Sequence, residues 1–370
     1  MKKITISESQ KISDFSQESS LALPAYVLEK DMHVCDAMKV IAAMPANPYF
    51  RLVFCGGTCL SKAYGILERM SEDIDYKVVP TDEALRLNPS ARRTKLRAFA
   101  DSVVAALVLG GFTGKEAVTR KSRDAGAANA INATYDSSYA KPESLRPELL
   151  IEMNYTNLVK PTQHKQVGLL LDRLTIKGYA TPFSLECVSL EEALAEKLIS
   201  FPRRLGKQMA DQLEEGDKGP KIFDDKFLEE SLDWSISLVR HIFDVKILLE
   251  KHPELLSDID GFGELLAIVI KKDALDFKNK HADFIEDPVS ELHSAIVFAK
   301  SSKKLRSQYE TFVADMVYGD AKPSYDIAVT HFEAVLDAVL NTPSLKNAIA
   351  TRPVVPHAPA PRQSQGGPSR

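Results

Sequence analysis

From about Leu21 to Val188 the chain alternates short apolar runs rich in Val, Ile, Phe and Tyr with helical stretches, the pattern of a mixed sheet with helices. From Ser189 to about Ala350 the period changes. Leu190, Leu194, Leu198, Phe201 and Leu205 recur at helical spacing and the remainder is helical almost throughout, which predicts a second, helical domain. The expected division is therefore 1–188 and 189–350, followed by a tail at 351–370 whose Pro, Ser and Gly content predicts disorder. Asp211 to Lys226, acidic and lysine-rich with Gly216 and Gly219, reads as a loop between helices.

Within the first part, Arg51 to Asp75 is the most informative stretch. Leu52 to Cys55 reads as a short buried strand, Gly56 and Gly57 as a tight turn, and Thr58 as the cap of a helix running through Leu67. Asp73 to Val79 reads as a second strand. Alternation sends Asp73 and Asp75 to one face and Ile74 to the other, so two carboxylates about 7 Å apart along the strand repel unless something cationic sits between them. Leu149 to Tyr155 repeats the logic, with Glu152 on the face opposite Leu149, Ile151 and Met153.

Composition narrows the function classes. Across 370 residues, 47 Lys and Arg stand against 51 Asp and Glu, a formal charge of -4, which excludes a histone-like polycation and confines any nucleic-acid contact to a local patch. No apolar run reaches the roughly 18 to 20 residues that span a bilayer, and the polar N-terminus lacks a signal peptide's apolar core, so a cytoplasmic protein without a membrane partner is expected. Cys35, Cys55, Cys59 and Cys187 lack the spacing of a disulfide framework or zinc site and read as buried thiols. The eight histidines contain no zinc-hydrolase pattern.

A Gly-Gly turn after a strand lets phosphate approach the backbone. Asp-x-Asp beginning 17 residues after Gly56 turns that weak signal into a constellation, a triphosphate cradle facing a divalent-metal site. Phe54-Cys-Gly-Gly-Thr-Cys-Leu-Ser-Lys-Ala-Tyr64 followed by Arg69-Met-Ser-Glu-Asp-Ile-Asp75 closely resembles the signature of the AbiEii/AbiGii-type nucleotidyltransferase toxins of bacterial toxin–antitoxin and abortive-infection systems. Leu28-Glu-Lys-Asp31, Leu190 to Lys197 and Arg240-His-Ile-Phe-Asp244 resemble further motifs of that family, with Met32-His33 standing where an aromatic pair often follows.

The resemblance implies an α+β fold, a DNA polymerase β-like nucleotidyltransferase domain with a helical C-terminal domain. It also implies transfer of a nucleotide from an NTP, with Mg²⁺ or Mn²⁺, to an RNA acceptor, the 3′ end of tRNA, by a translation-blocking toxin held in check by a cognate antitoxin. By position it assigns Gly56, Gly57 and Thr58 to phosphates, Asp73 and Asp75 to metals, and Lys197 and Asp244 to the nucleotide or catalytic machinery, with Glu152 as the third carboxylate. A small-molecule or protein hydroxyl as acceptor, and an inactive nucleotide-binding relative, are the alternatives.

Other charges have both a bland and a functional reading. Lys62 and Arg69 can pair with phosphate or with Glu68 and Glu72, and Lys197 can snorkel from its helix or serve a triphosphate. Arg240 and Asp244 form an i, i+4 pair on an otherwise apolar helix, which points to a polar cleft between the two parts of the chain. Arg92, Arg93, Lys95 and Arg97 lie in a run from Arg86 to Arg97 with five basic residues and no acid. Together with Lys115, Arg120, Lys121 and Arg123, this run reads either as a solvated face or as an RNA backbone groove close to the site.

Overall fold

The computed structural model describes residues 2–18, 23–113, 116–140, 146–175, 178–215, 238–276 and 282–350. Its strands are β1 (Phe50–Cys55), β2 (Asp73–Pro80), β3 (Val118–Arg123), β4 (Ala128–Thr134), β5 (Glu148–Tyr155), β6 (Gln163–Val167) and β7 (Phe183–Cys187). The helices preceding or interleaved with them are α1 (Ile6–Glu18), α2 (Ala25–Ala42), α3 (Gly56–Lys62), α4 (Asp82–Arg86), α5 (Pro89–Leu109) and α6 (Leu170–Leu174). After β7 every described element is helical: α7 (Leu190–Glu215), α8 (Arg240–Lys251), α9 (Ile259–Asp276), α10 (Ala282–Glu286), α11 (Pro288–Ser301), α12 (Lys303–Met316), α13 (Tyr325–Leu340) and α14 (Pro343–Ala350), with one short 3₁₀ turn. No described helix is long and apolar enough to cross a membrane.

The strands form one mixed sheet in the order β3-β4-β5-β2-β1-β7-β6. Its two faces bury different partners, because successive side chains point to opposite sides. Ile74, Tyr76, Val78, Ile131, Ile151 and Met153 pack with Met38 and Ile41 of α2 and Leu96, Phe99 and Val103 of α5. On the opposite face Val53 and Val79 join the core of the helical half, with Leu194, Leu198, Ile242 and Phe243. This second layer faces Asp73 and Asp75, so the α+β architecture puts the carboxylates between sheet and helices.

Helix α2 is enclosed almost all round, and its Glu29-Lys30-Asp31 run is buried. Each charge is tied down: Glu29 accepts from Ser137 and Ser138, Lys30 Nζ donates to Glu72 Oε2 (2.8 Å) and to the carbonyls of Arg146 and Glu148, and Asp31 pairs with Lys62 while accepting from Leu170 N–H. Such charges tolerate burial only when paired and hydrogen-bonded. They fix the approaches to β2 and β5.

Three local expectations are corrected. Helix α3 starts at Gly56 and ends at Lys62, where the sequence suggested a Thr58 cap and a helix through Leu67. The Thr58 hydroxyl instead contacts Ser71 Oγ (2.7 Å) and donates to the Asp73 carbonyl, stitching α3 to β2. Between them, residues 63–72 turn toward the helical half, where Arg69 forms a β-bridge with Val317 and Met70 N–H donates to the Met316 carbonyl. Finally, α7 continues to Glu215, so the first part of the expected loop is helix, and 216–226 lie outside the described residues. The tail 351–370 and Lys115 lie outside them as well.

Candidate active site

Strand register decides which charges meet. Cys55 pairs with Asp75 across the antiparallel β1/β2 contact, and Asp75 pairs with Glu152 across the parallel β2/β5 contact. Asp75 and Glu152 thus occupy one row on neighbouring strands, about 4.8 Å apart at the backbone, with Asp73 two residues away on the same face. The third carboxylate expected from the sequence is therefore beside the other two.

The glycines make room for side chains of the site. Gly56 has φ +75, a conformation that disfavours a side chain, and a β-carbon there would run into Asp75 Oδ2. At Gly57 a β-carbon would stand 2.5 Å from Arg69 Nη2. Arg69 is buried, lies over the ring of Phe312 and makes a two-pronged contact with Asp244, Nε to Oδ1 and Nη2 to Oδ2, both at 2.7 Å. Lys197 Nζ reaches the same Oδ2 at 2.6 Å.

These groups line a cavity of about 320 Å³ between the sheet and helices α7 and α8. Gly56, Gly57, Asp73, Asp75 and Glu152 form its sheet side; Lys197, Ser200 and Arg204 of α7 and Arg240, His241 and Asp244 of α8 form its helical side. Arg146 donates to Asp73 at 3.2 Å.

The charge balance within the cavity is uneven. Burial, then Glu152 and Asp73, push the Asp75 carboxyl up to about 7, and burial raises Asp73 despite Arg146. Burial would raise Asp244 too, but Arg69 and Lys197 overcome it and hold the carboxyl well below the usual range. Asp244 is therefore an anchor for two cations and a poor proton acceptor. Burial, reinforced by Arg69, lowers Arg240; burial, reinforced by Arg203, lowers Arg204; His241 is kept neutral by burial beside Lys197. Arg240 Nε and His241 Nδ1 are buried without a hydrogen-bond partner.

This chemistry fits a triphosphate with a hard cation. Carboxylate oxygens suit Mg²⁺ or Mn²⁺, and orphaned cavity donors suit phosphate oxygens. Among the described residues, no three His, Cys, Asp or Glu side chains form a ready metal-ligand group. The donor set matches the commoner Mg²⁺ arrangement, one or two carboxylates with substrate phosphates and water supplying the rest.

Several sequence candidates are placed elsewhere. Lys62 is buried against Asp31 and Cys35 Sγ; burial alone would lower its ammonium pKa, but Asp31 and Cys35 together outweigh it and raise it, and Lys62 does not line the cavity. Thr58 is likewise a structural stitch. Arg240 does not pair with Asp244 as an i, i+4 bridge; its guanidinium is 4.0 Å from Glu72. Arg92, Arg93, Lys95 and Arg97 belong to α5, on the opposite face of the sheet, and Lys95 sits over Tyr49 at the far end of β1 from Cys55. The expectation of a basic groove beside the site is corrected for these four residues. Sequence reading missed Ser200 and Arg204, although they stand three and seven residues after Lys197 on one helical face. Arg146, which also lines the cavity, carried no comparable signal.

No curated protein matches the chain in sequence. Among solved structures, it is similar to MenT4, a nucleotidyltransferase toxin from Mycobacterium tuberculosis H37Rv, at 16% identity and TM-score 0.48, with 94% of this chain and 99% of that chain covered. It is also similar to a candidate nucleotidyltransferase from H. pylori, at 15% identity and TM-score 0.38, covering 89% and 99%. The profile of the AbiEii nucleotidyl transferase toxins matches residues 41–337, which contain the carboxylate row, the glycines and both cationic helices. The chain therefore belongs to the AbiEii nucleotidyl transferase toxin family of type IV toxin–antitoxin systems.

Proposed function

We propose that the cavity transfers a nucleoside monophosphate from an NTP to the 3′ hydroxyl of an RNA, with the acceptor end of tRNA as the substrate, and that a cognate antitoxin restrains this activity. The observation that carries the reading is the row of Asp75 and Glu152, with Asp73 beside it, facing Arg204 and Arg240 across one cavity. The RNA acceptor is what the motif resemblance implies, and the antitoxin comes with the family.

In the reaction the acceptor oxygen bonds to the α-phosphorus, the bond to the β-phosphate oxygen breaks, and pyrophosphate leaves. A divalent cation held by Asp73 and Asp75 would neutralise triphosphate charge and acidify the acceptor hydroxyl. Glu152, across the row from Asp75, takes the hydroxyl proton. Arg204 and Arg240 receive the charge that grows on the departing pyrophosphate, a role for which preorganised donors serve best. Arg69 and Lys197, oriented by Asp244, add positive charge to the cavity lining.

Incubation with each labelled NTP, Mg²⁺ and total RNA tests this. Label in a tRNA-sized band, absent with Asp73→Asn or Asp75→Asn, is expected. Label confined to small products or to protein would replace the acceptor, and no label with any NTP would overturn the activity.

A further inference from the structure

Lys121 and Arg123 sit in the basic region that sequence reading grouped with Arg92 to Arg97, but the sheet separates the two sets. The register runs Asp75 to Glu152, Glu152 to Ala130, and Ala130 to Lys121, one row across four strands. The adjacent row runs Lys77, Asn154, Ala128, Arg123. Because directly opposed residues share a face, Lys121 and Arg123 stand on the carboxylate side. Arg120, between them and Thr119, points the other way and pairs with Asp101 of α5 at 2.7 Å.

Among the described residues this part of the face is open. Helix α5 packs on both β3 and β4, and it does so on the opposite side. Ala128, Ala130 and Asn132 of β4 are half-buried and small, Asn154 of β5 is exposed, and Lys121 and Arg123 are exposed at the sheet edge. Neither cation has an ion-pair partner among the described residues, and neither lines the cavity. The cations that line the cavity, Arg69, Arg146, Lys197, Arg204 and Arg240, do not include Lys121 or Arg123, so a triphosphate held there leaves this edge unused.

We infer that this strip, floored by Ala128, Ala130 and Asn132 and edged by Lys121 and Arg123, is the track for the single-stranded 3′ segment of the RNA acceptor. The inference rests on the reading of an RNA acceptor given above. Its backbone phosphates pair with the two cations while its terminal hydroxyl arrives at Glu152. The span fits: Lys121 is three strands from Asp75, about 14 Å at the backbone. Small side chains leave room for a strand, and the floor offers no aromatic ring for stacking, so recognition falls on the backbone and tolerates sequence.

The test compares two double variants of the full chain, Lys121→Gln/Arg123→Gln on the strip and Arg93→Gln/Lys95→Gln on the far face. Affinity for tRNA ending in a single-stranded 3′ segment is measured across a salt series, and the KM for RNA and for NTP in the labelling assay. Loss of two phosphate contacts should weaken binding on the order of tenfold or more at 0.1 M salt and flatten the log–log salt slope by about 1.4. The KM for RNA should rise while that for NTP stays the same, and the far-face variant should behave as wild type. Unchanged RNA binding by the strip variant, or equal weakening in both, overturns the track. So does a strip variant that loses only binding to a polyglutamate peptide, which would assign the edge to an acidic protein. The two readings fail separately. RNA binding that depends on Lys121 and Arg123 without nucleotide transfer keeps the track and removes the proposed reaction; transfer to RNA untouched by the strip variant does the reverse. A wild-type chain that neither binds nor labels RNA removes both.

Discussion

Arg69 grips Asp244 with two parallel hydrogen bonds of 2.7 Å across 175 positions of sequence, and Lys197 closes the third side of the same carboxylate. The carboxylate that the motif suggested as catalytic machinery acts through two cations. Removing its charge should be costly, because both cations would remain buried without compensation. Asp244→Asn should lower stability by about 3 to 5 kcal/mol, the scale for breaking a buried pair. Since its folded pKa is depressed, the stability it contributes is fully present above the unfolded value near 4 and is lost as pH falls through the folded value. The melting difference between wild type and variant should therefore be flat from pH 5 to 8 and shrink in stronger acid; a difference that grows with acid would contradict the anchoring role.

Asp75 should behave oppositely. Its carboxyl is raised to about 7, so its charged form works against the fold, increasingly from pH 4 to 7 and uniformly above. Asp75→Asn should abolish transfer yet stabilise the metal-free protein, on the order of 2 kcal/mol at pH 8. Added Mg²⁺ should narrow that gap. Thermal melts at pH 4 and pH 8, with and without the ion, check all three statements.

Gly57→Ala is expected to act through Arg69. Gly57 has no positive φ, so its backbone accepts alanine, but the added methyl meets the Arg69 guanidinium. A rate loss of about tenfold or more, the lower scale for misplacing one electrostatic contact, with little change in melting temperature is the expected outcome. Gly56→Ala should also destabilise, since its backbone conformation is strained by any side chain. Equal behaviour of the two variants would show that their distinct neighbours do not matter.

His33 supplies an acid-sensitivity test away from the cavity. It is stacked on Tyr135 at 4.3 Å, neither ring nitrogen has a partner, and burial lowers its pKa to about 4. The native state holds it neutral, so this stability is present above about 6.5 and is lost as pH falls toward 4, by up to about 3 kcal/mol. His33→Phe should remove that part of the slope, as denaturant titrations at pH 7 and pH 4.5 would reveal.

Periodicity was enough to read β2, the shared face of Asp73 and Asp75, and the change to helices after Val188, because these depend on neighbours in sequence. Glu152 was legible as a strand carboxylate, but only the parallel register gives its place opposite Asp75. The fate of Lys62 and Arg69 was illegible for a physical reason: each is decided by a partner on another element, Asp31 for one and Asp244 for the other. The basic run from Arg92 to Arg97 misled because local charge carries no information about which face of a sheet its helix covers.

The bridge from Arg69 to Val317, with Tyr318 and Gly319 N–H both donating to the Glu68 carbonyl, makes the far end of the chain a mould for the loop ahead of Asp73. A β-carbon at Gly319 would meet Glu68 Oε2, so even a methyl there presses on that mould. Inactivating lesions in this protein need not fall on any residue that bears chemistry. Met316 to Gly319 contribute no group to the cavity, yet a change of backbone there would pass directly to Arg69, the cation that faces Gly57, and a screen confined to recognisable motifs would pass over it.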